Sequence, residues 1–260
     1  MTKPHAVIDG PADAPVVVLS NSLGSTLQMW EPQVPALRER FRVVRYDLRG
    51  HGGSPVPPGP YSLAELGIDV CQLLDRLGVA SASFCGLSLG GMIGLWLAAH
   101  APERIQRLVV CCSSARLGPP EVWRDRAVTV RAHGTAAVAA TVVSRWFTPA
   151  FAERNPALVR RMRAMVAATP AEGYAACCEA IERMDLEPVL PSVRAPTLVI
   201  AGADDPATPP DHARRITAGV PAARLVVLDH AAHLASYERA DAVTPLLLDH
   251  LSVPAMLEQP

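Results

Sequence analysis

The chain has 260 residues, half of them hydrophobic, and carries 24 basic against 25 acidic side chains for a formal charge of -1. That length and apolar content exclude a disordered chain and allow one large domain or a domain with an insert. The near-neutral balance excludes a long-range field suited to nucleic acid or an anionic membrane, which leaves small neutral or singly charged molecules as the natural partners.

Lys3 is the only lysine, so arginine replaces lysine throughout and any single arginine is weak evidence of a binding role. The opening MTKPHAVIDGPADAP has no apolar signal core, and no segment approaches 18 uninterrupted apolar residues, so cytoplasmic residence is the expectation. The six cysteines lack CxxC spacing and read as small buried thiols.

In chain order, AVIDG is the candidate for an antiparallel edge strand, and VVVLS (16–20) is the first central strand. RVVRYD (42–47) reads as the next strand, SPVPPGP (54–60) as a proline-rich loop, and SLAELGIDVCQLLDRLG as a helix over about 62–77, with Ser62 as cap, Glu65 three residues on and Gly78 as its end. SASFCGLS (81–88) is a strand that runs into a helix over about 89–100. RLVVCCS (107–113), TLVIAG (197–202) and RLVVLD (224–229) complete the strands, with helices over about 210–219 and 237–250. These strands are nearly continuous in apolar residues, as strands covered on both faces are. From about Gly118 to Pro191 only helical patterns occur, including VWRDRAVTVRAHGTAAVAATVVSRWF. The expectation is an α/β fold: a mostly parallel central sheet with helices on both faces, its core formed by 1–118 and 190–260 and its all-helical cap by 119–189, over the carboxyl ends of the strands where ligands bind.

The chemistry gathers on Ser88, between Gly86 and Gly90 at a strand-to-helix reversal. So sharp a turn leaves no room for a Cβ two residues either side and holds the hydroxyl out at the top of the sheet, with the Leu89 amide at the helix start aimed at an oxyanion. A serine needs a base, and the base an orienting acid, each in a loop after a later strand. ADDPATPP offers Asp204 and Asp205, with Asp205 preferred because it precedes Pro206; HAAHL offers His230 and His233, with His233 preferred because it lies deeper in its loop. The second oxyanion donor is the Leu23 amide, in SNSLGSTLQMW, where Gly24 gives the backbone freedom to turn. A dinucleotide site is excluded, since GLSLGG does not supply Gly-x-Gly-x-x-Gly. The other histidines (His5, His51, His100, His133, His212 and His250) lack metal-ligand spacing and are expected mostly at surfaces or helix ends. No metal or organic cofactor is expected.

YDLRGHGGS (46–54), CGLSLGG (85–91), GADDPATPP (202–210) and HAAHLASYE (230–238) together resemble the α/β-hydrolase fold superfamily across nearly the whole chain. Within it, LSNSLGSTLQMWEPQ, GLSLGGMIGLWLA and the cap stretch around RWFTPAFAERNPALV are similar to the 3-oxoadipate enol-lactonases of the β-ketoadipate pathway of aromatic catabolism. The resemblance implies Ser88 as nucleophile, Asp205 as acid and His233 as base, acting on a small lactone that carries a carboxylate. Of the eight arginines between Arg124 and Arg163, Arg145, beside Trp146 and Phe147, is the candidate to meet that carboxylate, with Trp146 as pocket wall. Two other readings stand beside this one: a carboxylesterase or carbon–carbon bond hydrolase of the same fold, and a ligand receptor that keeps the fold without turnover. An intact serine, acid and base disfavours the receptor. An apolar cap would also support a homo-oligomer.

Overall fold

The computed structural model describes residues 3–252. Its strands are β1 (Ala6–Asp9), β2 (Val16–Ser20), β3 (Arg42–Tyr46), β4 (Ala82–Leu87), β5 (Ile105–Cys111), β6 (Thr197–Gly202) and β7 (Arg224–Leu228). They form one sheet in the order β1-β3-β2-β4-β5-β6-β7, parallel throughout except for β1, which pairs antiparallel with β3. The expected α/β fold and its antiparallel edge are therefore present.

Every residue of β4 and β6 is buried, as two-sided cover demands. β7 departs from that expectation. At the edge of the sheet it leaves Arg224 and Val227 exposed, although its apolar run looks like that of an inner strand.

After β2, the chain makes a short helix α1 (Val34–Leu37) and, after β3, α2 (Leu63–Arg76). Ser62 Oγ accepts from the Glu65 amide at 3.2 Å while Glu65 Oε2 accepts from the Ser62 amide at 2.9 Å, so two orphan donors at the helix start are satisfied reciprocally. α3 (Leu89–His100) follows β4 directly and is apolar almost all round, since it is sandwiched between the sheet and α2.

Between β5 and β6 lie α4 (Pro120–His133), α5 (Ala136–Val143), α6 (Pro149–Arg154), α7 (Pro156–Ala167) and α8 (Ala171–Arg183). The long helical run read over this stretch is broken at Gly134, whose φ of 75° ends α4. α4 packs on α8, and Arg131 bridges Glu172 and Glu179 across the pair. α8 reaches the core at Gly173, where a Cβ would come within 2.4 Å of the Gly50 Cα. Helix and loop meet backbone to backbone there, which only glycines permit.

α9 (Pro210–Gly219) follows β6, and α10 (Ala235–Glu238) and α11 (Ala240–Ser252) follow β7. The single helix expected over 237–250 is thus divided at Arg239, whose φ of -122° and ψ of 47° leave the helical region. Cys85, Cys111, Cys112, Cys177 and Cys178 are buried free thiols, and Cys71 is partly buried. Among the described residues no helix is long and apolar enough to cross a membrane.

Candidate active site

Ser88 sits between β4 and α3 at φ 56° and ψ -116°, a region a non-glycine residue occupies only when its surroundings force it, at about 1–3 kcal/mol. Its amide donates to the Cys111 carbonyl at 2.9 Å, and its own carbonyl accepts from Ser113 Oγ at 2.7 Å. The flanking glycines are required sterically. A Cβ at Gly86 would lie 2.1 Å from the Gly90 carbonyl oxygen, and one at Gly90 would lie 2.3 Å from that of Ser20.

Asp205 follows β6 and His233 follows β7, and the structure brings these two together. His233 Nδ1 donates to Asp205 Oδ2 at 2.8 Å, with both side chains almost completely buried. Asp205 Oδ2 also accepts from Thr208 Oγ1 at 2.7 Å, while Oδ1 accepts from the amides of Ala207 at 2.8 Å and Thr208 at 3.0 Å. Burial alone would raise the Asp205 carboxyl; the imidazole of His233 and the hydrogen bonds from His233 and Thr208 outweigh it and hold the group below the usual carboxylate range. The ionised, acceptor-only carboxylate fixes the proton on Nδ1 and leaves Nε2 as a base. Asp204 and His230 are exposed and line a separate groove with Pro206 and Phe151. Neither reaches Ser88's cavity.

The loop after β2 is fastened to the elbow by the Gly90 amide, which donates to the Asn21 carbonyl at 3.0 Å. Leu23 lines the cavity beside Ser22 and Ser88. Leu89 is the first residue of α3, where an amide has no helical carbonyl to bond. Gly24, at φ 76°, donates its N–H to His51 Nε2 at 2.9 Å, and His51 Nδ1 in turn donates to the Arg49 carbonyl at 3.1 Å. His51 is fully buried, and that burial pushes its pKa down to about 4, against the opposing pull of the Arg49 carbonyl and Asp47. This corrects the expectation that His51 is an ordinary surface histidine: it is a neutral strut beneath the Leu23 turn. Asp47 fastens the same loops, accepting from the Leu27 amide at 2.8 Å and the Gly53 amide at 2.9 Å. His250 lies in the last turn of α11, a helix-end position as expected, and is buried against the carbonyls of Leu108 and Pro196.

The cavity measures about 270 Å³. From the helical segment between β5 and β6 it is lined by Trp123, Arg126, Val138, Val142, Arg145, Trp146 and Tyr174, and from the rest of the chain by Ser22, Leu23, Ser88, Thr208 and His233. Arg145 and Trp146 both border it, Arg145 with its side chain exposed and Trp146 buried. Their backbone also matters, because the Leu234 amide donates to the Trp146 carbonyl at 2.8 Å and the His233 amide to that of Arg145 at 3.4 Å. Glu238 completes this seam. Its Oε1 accepts from the amide of Thr148 at 3.0 Å and from the Thr148 hydroxyl, and its Oε2 accepts from the Ala232 amide at 2.8 Å. The buried carboxylate thereby ties the chain before α6 to the His233 loop. Sequence reasoning passed over Glu238, Thr208, Arg126 and Tyr174. Among the described residues no group of three or more His, Cys, Asp or Glu side chains is arranged to hold a metal ion.

The profile of the α/β hydrolase fold family matches residues 15–240. Two 3-oxoadipate enol-lactonases of Acinetobacter baylyi are 42% and 39% identical to this chain, each alignment covering 90% of it and 87% of the relative. The crystal structure of the enol-lactonase from Burkholderia xenovorans superposes with a TM-score of 0.95 at 47% identity, over 97% of each chain. A strained serine at a strand-to-helix turn, a buried Asp–His pair after the last two strands and these similarities agree: the chain belongs to the α/β hydrolase fold family.

Proposed function

We propose that this protein hydrolyses 3-oxoadipate enol-lactone to 3-oxoadipate, the step its enol-lactonase relatives are named for, with Ser88 as nucleophile, His233 as base and Asp205 as orienting acid. The observation that carries the reading is the 2.8 Å Asp205–His233 hydrogen bond at the wall of the cavity that Ser88 also lines. A volume of about 270 Å³ lies at the small end of ligand pockets and suits a small lactone better than a long-chain ester. On this reading residues 119–189 act as a cap over a core whose described part is 3–118 and 190–252, residues 1–2 and 253–260 of the expected core lying outside the described residues.

The chemistry runs in two halves. Ser88 Oγ attacks the lactone carbonyl as its proton passes to His233 Nε2, and the amides of Leu23 and Leu89 hold the oxyanion. Collapse breaks the ring carbon–oxygen bond. The leaving group is an enolate, a far better one than an alkoxide, and it remains tethered to the acyl chain; protonation to the ketone, with the proton carried by His233, draws the step forward. Water then gives a proton to His233 as it attacks the acyl-enzyme, and the second tetrahedral species expels Ser88 Oγ, which recovers that proton.

The test follows freshly generated enol-lactone by ultraviolet absorbance with the wild type, Ser88→Ala and a panel of nitrophenyl esters. Rapid lactone loss that vanishes in the variant, beside slow ester cleavage, is the expected result. Rapid ester cleavage with an inert lactone would replace the lactone with a general ester and keep the serine.

A further inference from the structure

The Leu23 N–H lies between two amides whose acceptors are side chains. The Ser22 amide donates to Met29 Sδ at 3.2 Å, and the Gly24 amide donates to His51 Nε2. Among the described residues the Leu23 amide itself has no protein acceptor. Its direction follows from the carbonyl of the same peptide unit, since the N–H and C=O of a trans peptide point opposite ways. That carbonyl, of Ser22, accepts from the Ser25 amide at 3.1 Å and from Ser25 Oγ at 2.7 Å. Ser25 Oγ also lies 3.0 Å from Met29 Sδ, so its one proton is shared between the carbonyl and the sulfur.

Met29 is placed independently of the loop it holds. It belongs to one turn of 3-10 helix (Leu27–Trp30), whose first amide donates to Asp47, and its own amide donates to the Thr26 carbonyl at 3.0 Å. Ser22, Ser25 and Met29 are all buried, the last two completely. A leucine would fill the space of the methionine almost as well, so packing alone does not call for a sulfur here. What leucine cannot do is accept, and the Ser22 amide would then be a buried donor without a partner.

We infer that Met29 and Ser25 are positioning residues for the reaction: thioether and hydroxyl hold the Ser22–Leu23 peptide so that the Leu23 N–H faces the oxyanion formed at Ser88. The inference rests on Ser88 as nucleophile and the Leu23 amide as oxyanion donor, and not on which lactone or ester is cleaved. Neither side chain lines the Ser88 cavity, so both act through the peptide between them. Outright loss of an oxyanion donor costs about 10²–10³ in kcat, and a loosened donor costs less. Because an oxyanion forms on every acyl substrate, the loss is common to all of them.

The test uses the full chain with Met29→Leu, Ser25→Ala, the double variant and Met29→Gln, assayed on the enol-lactone and on 4-nitrophenyl acetate. Met29→Leu and Ser25→Ala are each expected to lower kcat about tenfold on both substrates, with KM changed by less than about threefold. The double variant should lose only about thirtyfold, short of the product of the single losses, because the two groups belong to one network. Met29→Gln, whose amide oxygen is again an acceptor, should recover part of the loss. Phenylboronate, which adds to Ser88 Oγ as a tetrahedral anion, should bind Met29→Leu about tenfold more weakly than wild type. Should Met29→Leu fail to fold, Ser25→Ala, the smaller change, carries the same comparison. A kcat within about twofold of wild type in the single variants, a rise in KM with kcat kept, or a loss confined to one substrate overturns the inference. So does a fall in kcat with phenylboronate affinity unchanged, which would make both residues merely structural. If the wild type cleaves the ester and not the lactone, the lactonase reading fails by itself and the variants are judged on the ester. A wild type that cleaves neither overturns the nucleophile, and the inference with it.

Discussion

The turn that carries Ser88 and the cap wall that faces it border one cavity, yet their geometry is held in different ways. At the turn the backbone decides, since glycines at 86 and 90 fit where any Cβ would strike a carbonyl within 2.3 Å. On the cap wall side chains decide. Arg126 leans on Trp123, and Tyr174 is placed by the packing of α8 against α4. The Ser88 turn is therefore sensitive to backbone changes, whereas the opposite wall can be rewritten one side chain at a time.

Ser88→Gly gives the largest expected effect. It should cost on the order of 10⁶ in kcat, while relief of the strained φ raises stability by about 1 kcal/mol in urea denaturation. A less stable variant would mean that Ser88 is not held in strain. Glu238→Ala comes next, because it leaves the Thr148 and Ala232 amides without their acceptor. A loss of about 3 kcal/mol is expected, together with a kcat drop that exceeds any change in KM. Unchanged turnover in the surviving folded fraction would separate the seam from the placement of His233.

His51 makes a prediction in pH. Between the ordinary histidine value of 6.5 and about 4, the unfolded chain binds a proton that the folded chain refuses, so stability is lost as pH falls through that window. The loss amounts to about 3 kcal/mol at its limit. Asp205, held low, adds its own loss only below the ordinary carboxylate range. In His51→Gln the slope of the urea midpoint between those pH values should flatten; an unaltered slope would assign the effect to other groups. Asp204→Ala and His230→Ala should change kcat by less than about twofold and stability by less than about 0.5 kcal/mol, as exposed groups do. A large loss from either would shift the acid or the base to the outer groove.

These contrasts explain what the sequence made legible. The inner strands, the capped α2 and the Gly86-x-Ser88-x-Gly90 turn each leave a local signature, and the order of Ser88, Asp205 and His233 along the chain follows from loops at the same end of a parallel sheet. Asp205 and Asp204 are adjacent residues of one turn, and only the fold shows which faces inward. His51 left no such trace, because a histidine between two glycines reads alike whether its ring points into the protein or out. Arg126 was hidden by the chain's substitution of arginine for lysine, and Tyr174 by looking like any core aromatic. The edge position of β7 and the break at Arg239 depend on long-range neighbours, which no local pattern encodes.

The Glu238 bridge bears on how such a protein acquires a new substrate. A cap transplanted from another hydrolase would arrive with its own chain at 145–148, while the acceptors and donors that receive it belong to the recipient's 232–238 segment. Unless both segments are exchanged together, the graft alters selectivity and loosens the histidine loop in one stroke. The 145–148 and 232–238 segments are fastened as one structural unit, although about ninety residues separate Thr148 from Glu238 in the chain.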